Sequence, residues 1–267
     1  MPELPPGHLS EADVATILAI AQEAGAILIG GQSVAILAAR YWQKFPELHK
    51  TRPLTSDDVD FYGGQTAAQI VVSRLKDADI YLPAHFDDAT PNAAKISAMV
   101  GTQRITIDFM GSIIWVEQKG LEQRFLTFGG THPETGESIK ILCLHPLDCL
   151  TSRLGNINVL NRSDDQALRS AKASIIILDA FIDELLSDGN AKDAQTTLRK
   201  IEFIIKNKCA RHRSFLDHGL DPRFILKKYA SDERLDGRYR SKSLSSALRR
   251  VNDVCERAAA RHANRLS

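Results

Sequence analysis

The chain has 267 residues, 43% of them hydrophobic and 25% charged, with a formal net charge of +1. That balance is ordinary for a globular protein of one large or two small domains and excludes a disordered or fibrous chain. The longest nearly apolar stretches, Ala26–Ala39 and Ala173–Phe181, are broken by polar residues and fall short of a spanning helix, so no membrane is expected.

Pro2, Pro5 and Pro6 make an extended lead, without the basic start or apolar run of a secretory signal. Ser10-Glu11-Ala12-Asp13 reads as a capped helix start, continuing to about Glu23 with Val14, Ile17, Leu18 and Ala21 on one face and Gly25 closing it. The apolar run Ala26–Ile29 reads as a strand that stops at Gly30-Gly31. Gln32-Ser33 then opens a helix predicted to reach Phe45. Tyr41 and Trp42 near its end are either core residues or a pair on which a base could stack.

After a polar linker, Asp58–Tyr62 reads as a short strand. Its period of two puts Asp58 and Asp60 on one face and Val59 and Phe61 on the other. Neighbouring carboxylates repel unless a cation lies between them, and Mg²⁺ with its oxygen preference is the usual solution. Gly30-Gly31 has no Cβ atoms to hold a ligand away from the backbone. The N–H groups of the helix that follows, with the Ser33 hydroxyl, suit a phosphate. A phosphate cradle ahead of a diacid metal site is equipment for phosphoryl or nucleotidyl transfer. The plain alternative is an ordinary αβ unit with an acidic strand end.

Gly63-Gly64 and Thr66 lead into a helix over Ala67–Lys76, and Ala78–Leu82 reads as a strand. Lys95–Val100 and Arg104–Met110 form a hairpin about Gly101-Thr102-Gln103. In its second strand Thr106, Asp108 and Met110 share a face, and a carboxylate there needs either a partner or water. Leu121–Phe128 and Glu137–Leu144 read as a further hairpin across Gly129–Gly136. No helix follows that second glycine pair, so it is not a phosphate loop. His132 and His145 stand isolated, and the cysteines Cys143, Cys149, Cys209 and Cys255 lack paired spacing and read as reduced thiols in a cytoplasmic protein.

From Pro146 the pattern is helical. Ser163 is the expected cap of a helix running to Ser187, with Ile175, Leu178, Phe181, Ile182 and Leu185 on one face. Ala191–Lys208, Phe215–Tyr229 and Ser243–Arg261 follow as amphipathic helices, with a charged, mobile loop over Asp232–Lys242. Arg199–Ser267 holds 18 Lys and Arg against 8 Asp and Glu, a local charge of +10, while the remainder carries −9. Acidic chemistry ahead of a basic tail suits an enzyme acting on a polyanion; basic helix faces in water give the same count.

Gly30-Gly31-x-Ser33 followed by Asp58-x-Asp60 resembles the signature of the DNA polymerase β-like nucleotidyltransferase superfamily. Pro146-Leu-Asp-Cys-Leu-Thr-Ser-Arg153-Leu154 is similar to the Pro-x-Asp-Leu-Leu-x-x-Lys-Leu segment of the toxin-like nucleotidyltransferases of abortive-infection and toxin–antitoxin systems. The expected fold is α/β (α+β): a small mixed-sheet core over 1–145, and a helical domain over 146–267 that closes the cleft, with the resemblance covering roughly residues 26–165 and the helices of the last hundred residues resting on periodicity. The resemblance implies Mg²⁺ (or Mn²⁺) on Asp58 and Asp60, with Asp108 in the family's third-acid position as ligand or general base. Gly30, Gly31 and Ser33 would hold the β- and γ-phosphates of an NTP. Arg153 stands where the family has lysine, a planar fork in place of a point charge, and would neutralise departing pyrophosphate.

Lys44–Pro53 reads as an insertion relative to that family. The implied acceptor is a hydroxyl on an RNA 3′ end such as that of tRNA, on a protein or on a small molecule; a toxin would bring a cognate antitoxin. Two readings of other kinds stand beside this one. The chain could be a catalytically inactive nucleotide- or nucleic-acid-binding module of the same fold, or a DNA-binding protein of a mobile element that uses its basic helices.

Overall fold

The computed structural model describes residues 10–54, 58–83 and 92–266. Its first helix, α1 (Glu11–Glu23), begins as the sequence predicts. The Ser10 hydroxyl accepts from the Asp13 N–H at 3.0 Å, and the Asp13 carboxylate accepts from the Ser10 N–H at 3.2 Å. Then come β1 (Ile27–Leu28), α2 (Gly30–Tyr41), β2 (Val59–Tyr62), α3 (Gln65–Arg74), β3 (Lys76–Tyr81), β4 (Asn92–Val100), β5 (Gln103–Met110), β6 (Phe125–Thr131) and β7 (Ser138–Leu144). The strands form one seven-stranded sheet in the order β3-β4-β5-β2-β1-β7-β6. β2 runs parallel to β5 and β1 to β7, and the other neighbours are antiparallel. The fold class is the expected α/β, with a mixed sheet and a helical C-terminal region.

The chain divides into two units, Met1–Ile36 with Pro53–His145 and Leu37–Arg52 with Pro146–Ser267. The first contains the sheet. Strand periodicity sorts its residues: Val59, Phe61, Ile96, Ala98, Ile107 and Phe109 are buried together with Ile17 and Leu18 of α1 and Ala68 and Val71 of α3. The Phe61 and Phe109 rings pack at 5.6 Å. Burying each large apolar side chain contributes roughly 1.5–3 kcal/mol, which fixes which face of β2 and β5 turns inward. The opposite face carries Asp60, Tyr62, Thr106, Asp108 and Met110, all half-buried.

Both ends of α2 and the β6–β7 turn differ from expectation. α2 starts at Gly30 rather than at Gln32-Ser33, because Gly30 makes the bend itself at φ +69° and the Ser33 N–H donates to the Ile29 carbonyl at 3.3 Å. The helix ends at Tyr41 rather than Phe45, where the Tyr41 carbonyl accepts from both Lys44 and Phe45. Gly129 and Gly130 lie inside β6, opposite Lys140 and Ile139, so the hairpin turn is shorter than predicted.

The second unit comprises α4 (Pro146–Asn158), α5 (Asp165–Ser187), α6 (Ala191–Ile204), α7 (Arg213–Leu216), α8 (Arg223–Tyr229) and α9 (Ser245–Leu266), with π turns at Ile205–Cys209 and Tyr239–Leu244. The cap of α5 is Asp164, not Ser163; its side chain accepts from the Ala167 N–H at 2.9 Å, and a carboxylate there also complements the helix dipole. The helix expected over Phe215–Tyr229 is split in two at Gly219, φ +63°, and Pro222. Asp232–Lys242, expected as a mobile loop, is anchored instead: Leu235 and Tyr239 are buried, and Arg234 bridges Asp183 and Asp232 at 2.7 and 2.6 Å.

Leu37–Arg52, including most of the Lys44–Pro53 stretch, belongs to this helical unit. There the Tyr41 hydroxyl donates to Glu184 at 2.6 Å, Lys44 pairs with Asp183 at 2.6 Å, and the Arg52 guanidinium lies 3.7 Å from the Trp42 ring centroid. Tyr41 is buried in the core, whereas the half-buried Trp42 is stacked with the exposed His49 and lies under the Arg52 guanidinium. All four cysteines are free and buried. No described helix is long and apolar enough to cross a membrane.

Candidate active site

The parallel pairing of β2 with β5 sets Asp60 directly beside Asp108. Adjacent strands lie about 4.8 Å apart, so these side chains leave the same sheet face as neighbours. The antiparallel pairing of β5 with β4 sets Lys95 on the other side of Asp108, completing a row Asp60–Asp108–Lys95 across three strands. The Asn92 side-chain amide donates to Asp108 Oδ1 at 3.3 Å. Burial holds the Asp108 carboxyl above the usual carboxylate range; the Lys95 charge opposes this and the Asp58 charge adds to it. Asp58 is exposed, one residue before β2 rather than within it.

Gly30 explains how Asp60 is seated. A Cβ on Gly30 would overlap Asp60 Oδ2 and stand 2.8 Å from both Asp60 Cβ and Cγ, and the backbone there has φ +69°. The carboxylate therefore rests against the first residue of α2, where the helix dipole favours negative charge. The Ile29 N–H donates to the Asp60 carbonyl at 2.9 Å, tying the turn to β2. Gly31 follows, half-buried in the first turn of the helix.

Ser33 is 1% exposed, and its hydroxyl donates to the Gly30 carbonyl at 2.9 Å. Its observed role is to shape the glycine turn from inside. Arg153 is half-buried on α4 in the helical unit. His132 is occupied structurally: Nδ1 accepts from the N–H groups of Glu134 and Thr135 at 3.3 Å, while Nε2 meets the Thr16 hydroxyl at 3.0 Å. That hydroxyl donates to the Ala12 carbonyl, so Nε2 is the protonated nitrogen.

Among the described residues no group of three or more His, Cys, Asp or Glu side chains is placed to hold a metal ion. The sheet instead presents a pair, Asp60 and Asp108. Mg²⁺ is commonly held by one or two carboxylates and completes its shell with water and substrate phosphates, so a pair fits that ion. Burial, with a smaller contribution from the Asp58 charge, is what raises the Asp108 carboxyl, and a bound cation would favour its ionised form.

The chain matches no protein-family model, curated protein or solved structure in comparisons with each.

The sequence singles out the glycine turn and the three acids, of which the structure brings Asp60 and Asp108 side by side and leaves Asp58 outside β2; the sequence does not single out Lys95 or Asn92. Lys95 had a usable signal. Counting back from the Gly101-Thr102 turn, with Val100 opposite Gln103, puts Lys95 opposite Asp108. Asn92 had none, because the pairing slips between Asn92 and Ala94.

Proposed function

We propose that the first unit is the core of a divalent-metal-dependent nucleotidyltransferase that moves an NMP from an NTP to a hydroxyl acceptor. One observation carries this reading: Asp60 and Asp108 stand in register on neighbouring parallel strands, with Asp60 seated on the glycine turn that opens α2. Asp60 and Asp108 would hold Mg²⁺ or Mn²⁺, with Asp58 at the exposed margin. When bound, the ion neutralises triphosphate charge and makes the α-phosphorus more open to attack.

The first turn of α2, through the backbone of Gly30 and Gly31, receives phosphate at the positive end of the helix dipole. Ser33 contributes by holding that turn in shape. Asp108, whose affinity for a proton is raised, accepts the proton of the acceptor hydroxyl. The new bond joins the acceptor oxygen to the α-phosphorus, the α–β phosphoanhydride breaks, and pyrophosphate leaves. Arg153 is assigned to the pyrophosphate charge on the resemblance of the Pro146–Leu154 segment alone. That segment makes tRNA the first acceptor to test, and an antitoxin the first protein partner.

A second reading, an inactive nucleotide- or nucleic-acid-binding module, is favoured by the lack of a three-ligand group among the described residues and by Asp58 lying outside β2. A transfer assay separates the two. Protein, Mg²⁺ and each α-labelled NTP are incubated in turn with cell lysate, beside Asp60→Asn/Asp108→Asn protein. Label entering one macromolecular band with one NTP, and absent with the variant, supports the enzyme. No label, together with no Mn²⁺ binding by calorimetry, leaves the binding module.

A further inference from the structure

The helical unit carries an excess of positive charge that its own ion pairs do not use up. Of the acids in Arg199–Ser267, Glu202 is paired with Arg250 and Lys206, Asp217 with Arg213 and His262, Asp221 with Arg223, and Asp232 with Arg234. Lys228 and Arg234 also pair with Asp179 and Asp183 of α5, which lowers the local charge of +10 to +8, and that excess reaches the surface. Within it lies an exposed aromatic side chain. Phe203, on the last turn of α6, is 56% exposed, whereas large apolar side chains on this helix such as Leu198, Ile201 and Ile204 are buried.

Lysines surround that ring. Lys200 and Lys206 are its neighbours three residues either way along the helix surface, and the Lys208 ammonium lies 6.0 Å from the ring centroid. The pair Arg250–Glu202, 2.7 Å, joins α9 to α6 at the residue next to Phe203. On α9, Arg250, Arg257 and Arg261 are spaced seven and four residues apart, which places them on one helix face over about 16 Å. Arg257 and Arg261 are exposed, with no acid between them; Asp253 and Glu256 lie between Arg250 and Arg257.

A lone exposed phenylalanine needs no explanation. One ringed by lysines and flanked by an arginine row has the chemistry of a surface for single-stranded polynucleotide: phosphates on the cations, a base on the ring. We infer that the α6–α9 face of the helical unit binds single-stranded nucleic acid, with Phe203 as the stacking platform. This stands apart from the nucleotidyltransferase reading, since it uses none of the sheet acids.

The test is fluorescence anisotropy with labelled oligo-U and oligo-dT of about 20 nucleotides, and with a duplex of equal length, in chelator without NTP. The surface predicts binding to the single strands in preference to the duplex, with affinity falling linearly in log salt. Phe203→Ala weakens it roughly 10-fold at unchanged salt slope, and Phe203→Trp restores it. Arg257→Gln/Arg261→Gln lowers the slope by about 1.4. RNA against DNA is decided by comparing the two oligomers. Asp60→Asn/Asp108→Asn protein binds as wild type does, so a failed transfer assay leaves this result intact. Absence of binding at low salt, equal or tighter duplex binding, or wild-type behaviour of the Phe203 and arginine variants overturns the inference.

Discussion

Asp60 and Asp108 occupy the same rung of the parallel β2–β5 ladder, and Lys95 stands on the next strand beyond Asp108. On the proposed function, two acids side by side act as one unit rather than as two independent groups. Replacing either by Asn is expected to remove nearly as much transfer activity as replacing both, roughly 10²–10⁴-fold in kcat. Single-turnover rates of the two single variants and the double variant check this; independent, multiplicative losses would count against a shared site.

The raised Asp108 carboxyl has a consequence for stability. The folded state binds its proton more readily than the unfolded chain does, so this residue's contribution falls as pH rises through that window and stays unfavourable above it. In chelator, Asp108→Asn should raise Tm at pH 7 by roughly 1–3 °C, with little gain near pH 3. Thermal melts at both pH values decide it, and an equal gain at both would mean that charge is not the cause.

Gly30 and Gly25 offer a controlled comparison. Both have positive φ, +69° and +64°, but a Cβ on Gly25 meets nothing within 4 Å among the described residues, whereas one on Gly30 overlaps Asp60. Gly25→Ala should cost about 1 kcal/mol from the backbone alone and leave activity unchanged. Gly30→Ala should cost about 2 kcal/mol or more and displace the Asp60 carboxylate. Denaturant melts and transfer assays on the two variants are the check.

In the helical unit, burial pushes the Asp183 carboxyl up, but hydrogen bonds from Lys44 and Arg234 outweigh it and the net shift is downward. Its stabilisation is therefore complete above the ordinary aspartate range and is lost as pH falls through the depressed folded value. Asp183→Asn is expected to lower stability at pH 7 by about 1–3 kcal/mol. Urea titrations across pH should show that difference shrinking in acid.

Asp179 is buried and held by Lys228 at 2.9 and 2.8 Å. Lys228→Met strands a buried carboxylate and should cost about 3 kcal/mol. Adding Asp179→Asn should recover part of that loss, because the stranded charge is gone; a double-mutant cycle in urea measures it.

The fold was legible wherever local chemistry decides local structure. Ser10 and Asp13 announced the start of α1, and Gly101 announced the β4–β5 turn, from which the positions of Asp108 and its neighbours follow. Gly30 was legible as a turn but not as the helix's own first residue, since its φ is set by Asp60 packing against it, a contact between segments distant in sequence. Ser33 read as a phosphate ligand because its burial depends on the sheet behind it. The break at Gly219 and Pro222 was written in the residues and lost to the amphipathic pattern on either side. The pairing of Tyr41 and Arg40 with Glu184 spans more than half the chain and leaves no local trace.

That last pairing bears on how the protein is made. The helical unit draws on Leu37–Arg52, early in the chain, and on Pro146–Ser267, after the whole sheet. On the ribosome, Arg40, Tyr41 and Lys44 emerge long before Asp183 and Glu184 exist to receive them, so this unit closes only when α5 has left the exit tunnel. A fragment begun at Pro146 would leave Asp183 with Arg234 alone and take from Glu184 its ion pair with Arg40. The helical unit is thus no detachable cassette, and shuffling it between proteins requires carrying its early segment Leu37–Arg52 along with Pro146–Ser267.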